Sequence, residues 1–190
     1  MYRGMTERLA FQRNAETTDI QGGRSSAWAT FATIWGAMRA LTGREMLQAQ
    51  AVSSQVSYRA RIAQQQLEAA PVSVSSITRS GTTATVTTGA AHGLATGDYV
   101  RIAGAVETDY YGTFAVTITN ASVFTVTVSG SPDTPATGTI TSTLLLPVQP
   151  TLRIAWTPSW DAGQAAKTLQ IHAVRPLDRH ICELDLGEAA

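Results

Sequence analysis

The sequence predicts a mainly β fold, in which a small β-domain with one short α-helix is interrupted by an inserted β-sandwich-like module. Apolar and polar residues alternate with the two-residue period of a strand in many short runs, with turn-forming residues between them. The composition also changes abruptly at two points, which indicates that the middle of the chain is a separate module. With 190 residues and a hydrophobic content of 44%, the chain is large enough to form packed cores.

The middle of the chain, residues 72–142, is rich in threonine and poor in charge. It contains 17 threonines and only six charged residues, and pairs such as Val100 and Ile102 place apolar side chains on one face of a strand. Turn signals that contain glycine separate these runs, so their spacing predicts about five or six short strands in a small β-sandwich or barrel. Pro71 and Pro147 mark the borders, because proline interrupts sheet pairing.

The flanking segments, 1–71 and 143–190, are expected to form one discontinuous domain. Both alternate in the same way but carry larger aromatic side chains and more charge. In the run 55–63 every second residue is apolar, which places Arg59 and Arg61 together on the opposite face of the predicted strand. Because loop-closure entropy grows slowly with length, an inserted module costs little if its two ends lie close together.

A short helix is predicted after a β-like run that starts at Trp28. Thr42 is a good N-cap and Glu45 stands three residues later, which is the spacing of a capping box. Leu41 precedes the cap, and Met46 occupies the position with which it can form a hydrophobic staple. These signals define the start of the helix, and the serine-rich stretch that follows predicts a short one.

Charge and cysteine content exclude several classes of protein. The formal net charge is zero, which argues against a chain that holds nucleic acid mainly by bulk electrostatics. Of the 14 basic residues only Lys167 is lysine, and arginine favours planar, bidentate contacts with a partner. The single cysteine, Cys182, excludes an intrachain disulfide. No apolar run reaches the roughly 20 residues of a membrane span and no signal-peptide core is present, so we expect an intracellular protein with no membrane partner.

The sequence predicts no enzyme, metal site or cofactor. His180 and Cys182 are two residues apart, but two ligands do not make a zinc site. Ser159, Asp161 and His172 have the residue types of a nucleophilic triad, without a strained elbow around the serine. Four ionisable residues of the middle module are expected to serve its loops, by hydrogen bonds to the backbone or as solvated charges: His92, Asp98, Glu107 and Asp109.

The two flanking segments resemble the phage head-tail joining proteins, the head completion or stopper proteins of long-tailed phages. In the first half the resemblance rests on the strand RLAFQRN, the segment IWGAMRALTGREMLQAQ and the strand VSYRARI. In the second half it rests on TLRIAW and on LQIHAVRPLDRHICELDL, which look like the closing strands of that family. The middle segment, which includes ATVTTGAAHGLATGDYVRIAG, looks like small β-modules that recur in phage structural proteins.

The resemblance implies a small β-barrel and a mechanical role in the neck of a virion, without catalytic residues. In that family a ring of subunits lies under the portal and its adaptor ring, closes the DNA channel after packaging and receives the tail. The implied partners are other copies of the chain in a ring of six or twelve, the portal or adaptor ring, tail terminator or tail tube proteins, and packaged dsDNA held without sequence specificity. Assembly would take place in the host cytoplasm.

Four arginines in the segment that resembles the family are candidate site residues: Arg39, Arg44, Arg59 and Arg61. One interpretation is that they line the channel of the ring and meet DNA phosphates without reading sequence. The alternative is a solvated face or an ion pair between subunits. The residues of the predicted helix start are candidates for ring contacts: Leu41, Thr42, Glu45 and Met46.

Six aromatic residues are candidate interface anchors, since aromatic burial dominates small β-domains and oligomer contacts alike. The four tryptophans are expected in the core or at a subunit boundary: Trp28, Trp35, Trp156 and Trp160. In the middle module, Tyr110 and Tyr111 look like an exposed aromatic pair, which either contacts a partner or packs within the module.

Two other functions fit the sequence. A tail-terminator or adaptor protein of the same particle would also form a ring but with different neighbours, and its position in a purified neck would identify it. A glycan-binding or receptor-binding protein would use the threonine-rich module for recognition and the flanking domain as a mount. Glycan binding by isolated residues 72–142 would identify the latter.

Overall fold

A computed structural model gives the fold of the chain. It describes residues 4–18, 23–43, 47–48, 56–63, 66–160, 163, 165–178 and 180–189. The structure is mainly β, as the sequence predicts. The chain divides into two compact units, Met1–Leu67 with Pro147–Ala190, and Glu68–Leu146. No helix within the ranges above is long and apolar enough to cross a membrane.

In chain order the strands are β1 (Glu7–Thr18), β2 (Arg24–Ala40), β3 (Tyr58–Ile62), β4 (Gln66–Glu68), β5 (Val72–Ser80), β6 (Thr83–Thr88), β7 (Tyr99–Ala105), β8 (Gly112–Ala115), β9 (Thr117–Asn120), β10 (Val123–Thr127), β11 (Gly138–Pro147), β12 (Arg153–Trp156), β13 (Lys167–Pro176) and β14 (Cys182–Glu188). A single 3₁₀ turn, Thr108–Tyr110, lies between β7 and β8.

Six strands of the first unit form a closed antiparallel barrel in the order β1, β12, β13, β14, β3, β2. Strands from the two ends of the sequence close it, because Leu9 lies opposite Trp156 and Ala60 lies opposite Leu184. The alternating apolar residues of these strands make one buried cluster: Leu9, Phe11, Ala32, Ala60, Ile62, Leu67, Val148, Leu152, Ile154, Trp156, Leu169, Ile171, Cys182, Leu184 and Leu186. The small β-barrel that the resemblance implies is therefore confirmed.

Gly36 lets β2 pass closely over the interior of the barrel. The residue is buried, and a Cβ atom at this position would lie 2.5 Å from Leu9 Cδ1 and 3.1 Å from the carbonyl oxygen of Arg61. The Leu9 side chain could move only by disturbing the packed interior, and the Arg61 carbonyl belongs to the neighbouring strand. This position of β2 therefore requires a residue without a side chain.

The predicted helix start lies only partly within the described residues. Gly43, Leu47 and Gln48 are helical. Three residues between them lie outside the described part of the chain: Arg44, Glu45 and Met46. The capping box and the hydrophobic staple that involve Glu45 and Met46 therefore stay predictions.

The residue before the predicted cap is anchored to the barrel. Leu41 is buried beside Val56, and its N–H donates to the carbonyl oxygen of Ser57 at 2.9 Å. The N–H of Ser57 in turn donates to the carbonyl oxygen of Leu186 at 2.9 Å. The pairing of β2 with β3 and of β3 with β14 thus continues to the point at which the helix is predicted to begin.

The second unit is built on a sheet whose strands follow the order β8, β7, β11, β5, β6, β10, β9. β5 joins its two halves, since Val72 pairs with Ser142 of β11 whereas Ile77 pairs with Val86 of β6. Buried side chains from both halves form one cluster: Ile77, Ala84, Val86, Val100, Ile102, Tyr110, Val116, Phe124, Val126, Val128 and Ile140. Two half-sheets that cover a common core give the module its sandwich-like character.

The ends of the second unit are held together. The N–H of Ala69 donates to the carbonyl oxygen of Leu144 at 3.0 Å, and Ser73 pairs with Thr141. An inserted segment with adjacent ends imposes little constraint on the chain that receives it.

Tyr110 corrects one expectation from the sequence. Its side chain is fully buried in the core of the second unit, and its hydroxyl donates to the carbonyl oxygen of Asp133 at 3.1 Å. Only Tyr111 of the expected exposed pair is exposed. The 3₁₀ turn explains the difference, because it directs these neighbouring side chains to opposite sides of the surface.

Candidate functional site

The outer face of four adjacent barrel strands carries a group of paired charges. In the register of the sheet, Arg39 of β2 lies opposite Arg59 of β3, which lies opposite Asp185 of β14. Two residues further along β3, Arg61 lies opposite Glu183 of β14. On the other side of β14, Arg175 of β13 also lies opposite Glu183. We call these six residues the charged face: Arg39, Arg59, Arg61, Arg175, Glu183 and Asp185.

The arginines of the charged face cover its two carboxylates. Arg59 Nε lies 3.0 Å from Asp185 Oδ1 and 3.4 Å from Glu183 Oε1. Arg61 Nε lies 2.9 Å from Glu183 Oε2, and Arg175 Nη2 pairs with Asp185 Oδ2. Glu183 and Asp185 are buried on a barrel face that is otherwise open to water. Because a buried carboxylate without a partner is costly, these arginines stabilise the fold whatever else they bind.

A shallow cavity of about 240 Å³ opens on the charged face. It is lined by Ala37, Met38, Arg39, Arg59, Arg61 and Glu183. Three guanidinium groups and one carboxylate give this lining a formal charge of +2. Arginine presents several N–H donors in one plane, so the cavity suits an anionic oxygen group.

A comparison with known protein families gives a match in the first part of the chain. Residues 3–83 match the model of the family described as phage head completion protein. This part of the chain is therefore similar to the phage head completion proteins. Neither the comparison with curated proteins nor the comparison with solved structures gives a significant match.

The family match confirms the resemblance to head completion proteins and indicates a structural role at the head-tail neck of a virion. The matched residues include β1 to β5 and reach the first residue of β6. They supply Arg39, Arg59 and Arg61 of the charged face, whereas Glu183 and Asp185 lie beyond the match. The charged face is thus assembled from segments inside and outside the matched region.

The structure brings three of the four candidate arginines together. Arg39, Arg59 and Arg61 line the same cavity, whereas Arg44 lies outside the described residues. Whether these side chains meet DNA or another subunit stays a prediction. The acidic partners of these arginines, Glu183 and Asp185, were not predicted from the sequence. The segment CELDL contains a signal for them: alternation of Cys182, Leu184 and Leu186 places the intervening acids on the outer face.

The tryptophans of the barrel differ in exposure. Trp156 is buried, and its ring makes edge contacts with Tyr58 at a centroid distance of 5.6 Å and with Trp160 at 5.5 Å. Trp160 is itself 70% exposed, and Trp35 is 45% exposed. Trp28 is half-buried. Trp156 therefore acts in the core, whereas the exposed rings of Trp35 and Trp160 stay candidates for contacts with a partner.

Arginines lie over two of these rings. Arg153 Cζ is 4.2 Å from the centroid of the Trp28 ring, and Arg8 Cζ is 4.9 Å from that of the Trp35 ring. Such cation-π contacts hold the indole rings against the strands. Burial lowers the pKa of Arg153 from its ordinary value, and the guanidinium stays charged.

Lys167 links the end of β13 to β14 and β3. Its ammonium group donates to Glu188 Oε1 at 2.7 Å and to the Tyr58 hydroxyl at 2.9 Å. The hydrogen bond to Glu188 raises the pKa of Lys167, with a further contribution from Tyr58, and the same bond lowers the pKa of Glu188. Both groups are therefore charged throughout the neutral range.

Glu7 is a buried carboxylate with three donors around it. Trp156 Nε1 donates to its Oε2 at 2.9 Å, the backbone N–H of Ser159 donates at 3.0 Å, and the Ser159 hydroxyl donates to Oε1. Burial raises the pKa of Glu7, but the hydrogen bonds from Ser159 and Trp156 lower it by more, so the pKa lies below its ordinary value of 4.5. The Ser159 hydroxyl and the Trp156 indole therefore donate to the same carboxylate, and the hydroxyl has a structural role.

Replacing Glu7 with glutamine should remove one component of the acid sensitivity of the barrel. Because the pKa of Glu7 is lower in the folded chain, its contribution to stability is present above about pH 4.5 and is lost as the pH falls further. Glu7→Gln should lower the free energy of unfolding at neutral pH by about 1–3 kcal/mol, since the amide places donors against donors. Urea unfolding followed by tryptophan fluorescence at several pH values measures both effects. Parallel pH profiles for the two proteins would contradict the assignment.

The other titratable candidates show structural contacts. His92 Nε2 is 2.9 Å from the carbonyl oxygen of Asn120, and the N–H of Leu94 donates to His92 Nδ1 at 3.1 Å, which confirms the expected bonds to backbone. Cys182 is buried in the barrel core, and burial raises the pKa of its thiol. Within the described ranges no group of three or more His, Cys, Asp or Glu side chains is placed to hold a metal ion.

Proposed function

We propose that the chain is a head completion, or stopper, subunit of the virion neck. In this proposal six or twelve copies form a ring that joins the portal and adaptor complex to the tail and helps to retain packaged DNA. The family match over residues 3–83 is the observation that carries the proposal, and the closed barrel supports it because a rigid barrel suits a mechanical ring subunit.

The proposal includes a set of partners and a location. The ring would contact the portal or adaptor ring on one side and tail terminator or tail tube proteins on the other. Packaged dsDNA would pass through or end within its channel without being read in sequence. The chain would assemble in the host cytoplasm and stay in the virion as a neck component.

The arginines of the charged face are assigned two different roles, one in stability and one in contact with a partner. Arg59 contacts both carboxylates, so we assign it to the stability of the barrel. Arg39 and Arg61 line the cavity and are exposed, and the side chain of Arg61 is 60% exposed. We therefore assign the contact with a partner to these two side chains.

Removing the protein from an infection tests the proposed function. A phage that lacks the chain should accumulate heads that package DNA and then lose it, with separate finished tails. Purified chain added to freshly filled heads should restore nuclease-resistant DNA and tail attachment. Electron microscopy and nuclease protection measure the two results. Heads that keep their DNA while tails grow beyond their normal length would instead identify a tail terminator, and normal infectious particles would refute a neck role.

A further inference from the structure

The zero net charge of the chain hides two units of opposite charge. The unit Glu68–Leu146 contains five acidic and two basic residues, a net charge of −3. The rest of the chain contains nine acidic and twelve basic residues, a net charge of +3. Two copies of the chain can therefore attract each other through unlike units, although the whole molecule is neutral.

The positive side of this pair has a defined site. The cavity of the charged face has a formal charge of +2, and its carboxylate, Glu183, already interacts with Arg59 and Arg61 through their Nε atoms. Arg39 is exposed at the same cavity. An acidic group that enters the cavity would meet a lining in which positive charge prevails.

The negative unit carries a local group of acidic residues, which we call the acidic knob: residues 106–111 with Asp133. Asp109 and Asp133 are exposed on it, and Glu107 stands between exposed neighbours. Arg79, which donates to the carbonyl oxygen of Pro132 at 3.0 Å, contributes one positive charge nearby. With that arginine included, the three carboxylates leave a formal charge of −2, which is opposite in sign to the charge of the cavity.

Backbone and side-chain hydrogen bonds hold the acidic knob to the rest of its unit. The N–H of Val106 donates to the carbonyl oxygen of Thr137 at 2.9 Å, and Glu107 Oε2 accepts from the N–H of Thr137 at 2.8 Å. Tyr110 is buried beneath the knob and donates to the carbonyl oxygen of Asp133. A surface that is already ordered loses little entropy on binding, so its contacts count more fully toward affinity.

Exposed apolar side chains accompany these charges. Val106 is 70% exposed and Tyr111 is 62% exposed, on either side of Asp109. Tyrosine is enriched at protein interfaces, where its ring supplies apolar contact area. Ala37 and Met38 provide apolar surface at the edge of the arginine cavity.

We propose that the acidic knob of one copy docks onto the arginine cavity of a second copy. The two surfaces differ, so the contact is head-to-tail and can be repeated from copy to copy until a ring closes. The inference deepens the proposed ring and rests on it for its biological setting. Self-association of the purified chain is measured without the particle, so failure of this contact is distinguishable from failure of the neck assignment.

A protein carboxylate fits this site better than a DNA backbone. A duplex presents a continuous row of phosphates and is best held by an uninterrupted row of cations. The charged face instead alternates arginine with Glu183 and Asp185, so its cations do not form a continuous row. A local acidic group needs only Arg39 and Arg61, which are exposed.

A charge exchange between two variants tests the contact. Arg39→Glu places a carboxylate at the cavity, and Asp109→Arg places a guanidinium on the knob. Each variant alone should associate about tenfold more weakly than the unaltered chain, because like charges then face each other. An equimolar mixture should recover, since the altered cavity of one variant accepts the altered knob of the other while their unaltered surfaces still fit. Sedimentation velocity of full-length chains at about 50 mM and about 500 mM salt measures association and its screening.

Controls separate this contact from general charge and from misfolding. Arg13→Glu makes the same charge change on β1, at a residue that neither lines the cavity nor belongs to the acidic knob, and it should associate like the unaltered chain. Tyr111→Ser should weaken association without changing its salt dependence. Circular dichroism checks that each variant is folded, which is expected because none of the altered side chains is buried.

Three results would overturn the proposal. The unaltered chain could stay monomeric at low salt, or the mixture of variants could fail to recover. The third result concerns DNA. A duplex of about 20 base pairs would separate the associated chains in the mixture of variants at low salt, and it would bind the unaltered chain but not Arg39→Glu. That result would assign the cavity to nucleic acid.

Discussion

Replacing Trp156 with alanine is expected to lower the free energy of unfolding of the barrel by about 3–5 kcal/mol, the range for large aromatic side chains removed from a core. Trp156 is 1% exposed and lies in the cluster that fills the barrel. Its loss also leaves the Glu7 carboxylate with one donor fewer and removes the edge contact with the Tyr58 ring. Packing, hydrogen bonding and ring contacts thus fail together in this variant.

The sequence offers a convenient measurement of this effect. All four tryptophans lie in the first unit, so tryptophan fluorescence reports on the barrel and not on the threonine-rich module. Urea unfolding of Trp156→Ala should show a fluorescence transition at clearly lower denaturant. Hydrogen exchange of peptides from residues 72–142 should be unchanged if the two units unfold separately.

Trp160→Ala is the matched control. Trp160 is 70% exposed and touches the Trp156 ring from outside, so its removal should cost less than about 1 kcal/mol. Equal losses of stability in the two variants would contradict the place of Trp156 as the core anchor. Faster exchange in residues 72–142 of Trp156→Ala would contradict separate unfolding of the two units.

Alternation along the sequence was sufficient to predict which residues of the barrel face inward. Leu9 and Phe11, and likewise Ala60 and Ile62, are buried because strand geometry sends every second side chain to the same side. The same rule placed Arg59 and Arg61 on the outer face. These features depend only on local spacing, and the structure shows them as expected.

The ion pairs of the charged face could not be predicted from local spacing. Arg61 and Glu183 are 122 residues apart, and they meet because β3 pairs with β14 in one particular register. A shift of one residue in that register would direct Glu183 to the other face of the sheet. Alternation gives the face of each acid, but only the closed barrel gives its partner.

Tyr110 shows a second limit of local reasoning. Next to a glycine and a second tyrosine it looked like part of an exposed pair, yet a short 3₁₀ turn directs it into the core. Its hydroxyl donates to the backbone carbonyl of Asp133, and this hydrogen bond offsets the cost of removing the hydroxyl from water. The same turn leaves Tyr111 and Asp109 exposed together, and this arrangement creates the acidic knob.

Replacing Gly104 with alanine is expected to destabilise the threonine-rich module by about 2–5 kcal/mol, from backbone strain together with a steric clash. Gly104 has a φ of 87°, a conformation that residues with a Cβ atom rarely adopt. A Cβ atom there would also collide with the carbonyl oxygen of Thr139 and lie 3.0 Å from its carbonyl carbon. Neither atom belongs to a flexible side chain, so β7 and β11 would have to separate.

Gly81→Ala separates the two causes of this effect. Gly81 also has a positive φ, of 61°, but a Cβ atom there would meet nothing within 4 Å. This control should cost only about 1–2 kcal/mol, the strain of the left-handed conformation. Hydrogen exchange of peptides from residues 72–142 measures both variants, and equal losses would mean that the close approach to Thr139 contributes nothing.

Gly104→Ala also connects the packing of the module to its proposed contact. Gly104 lies two residues before Val106, whose N–H holds the acidic knob to Thr137. Separation of β7 from β11 should displace the knob and weaken self-association at low salt, whereas Gly81→Ala should leave association unchanged. The tryptophan fluorescence transition of the barrel should be the same in both variants. Loss of association with Gly81→Ala as well would show that the stability of the module, and not the position of the knob, governs the contact.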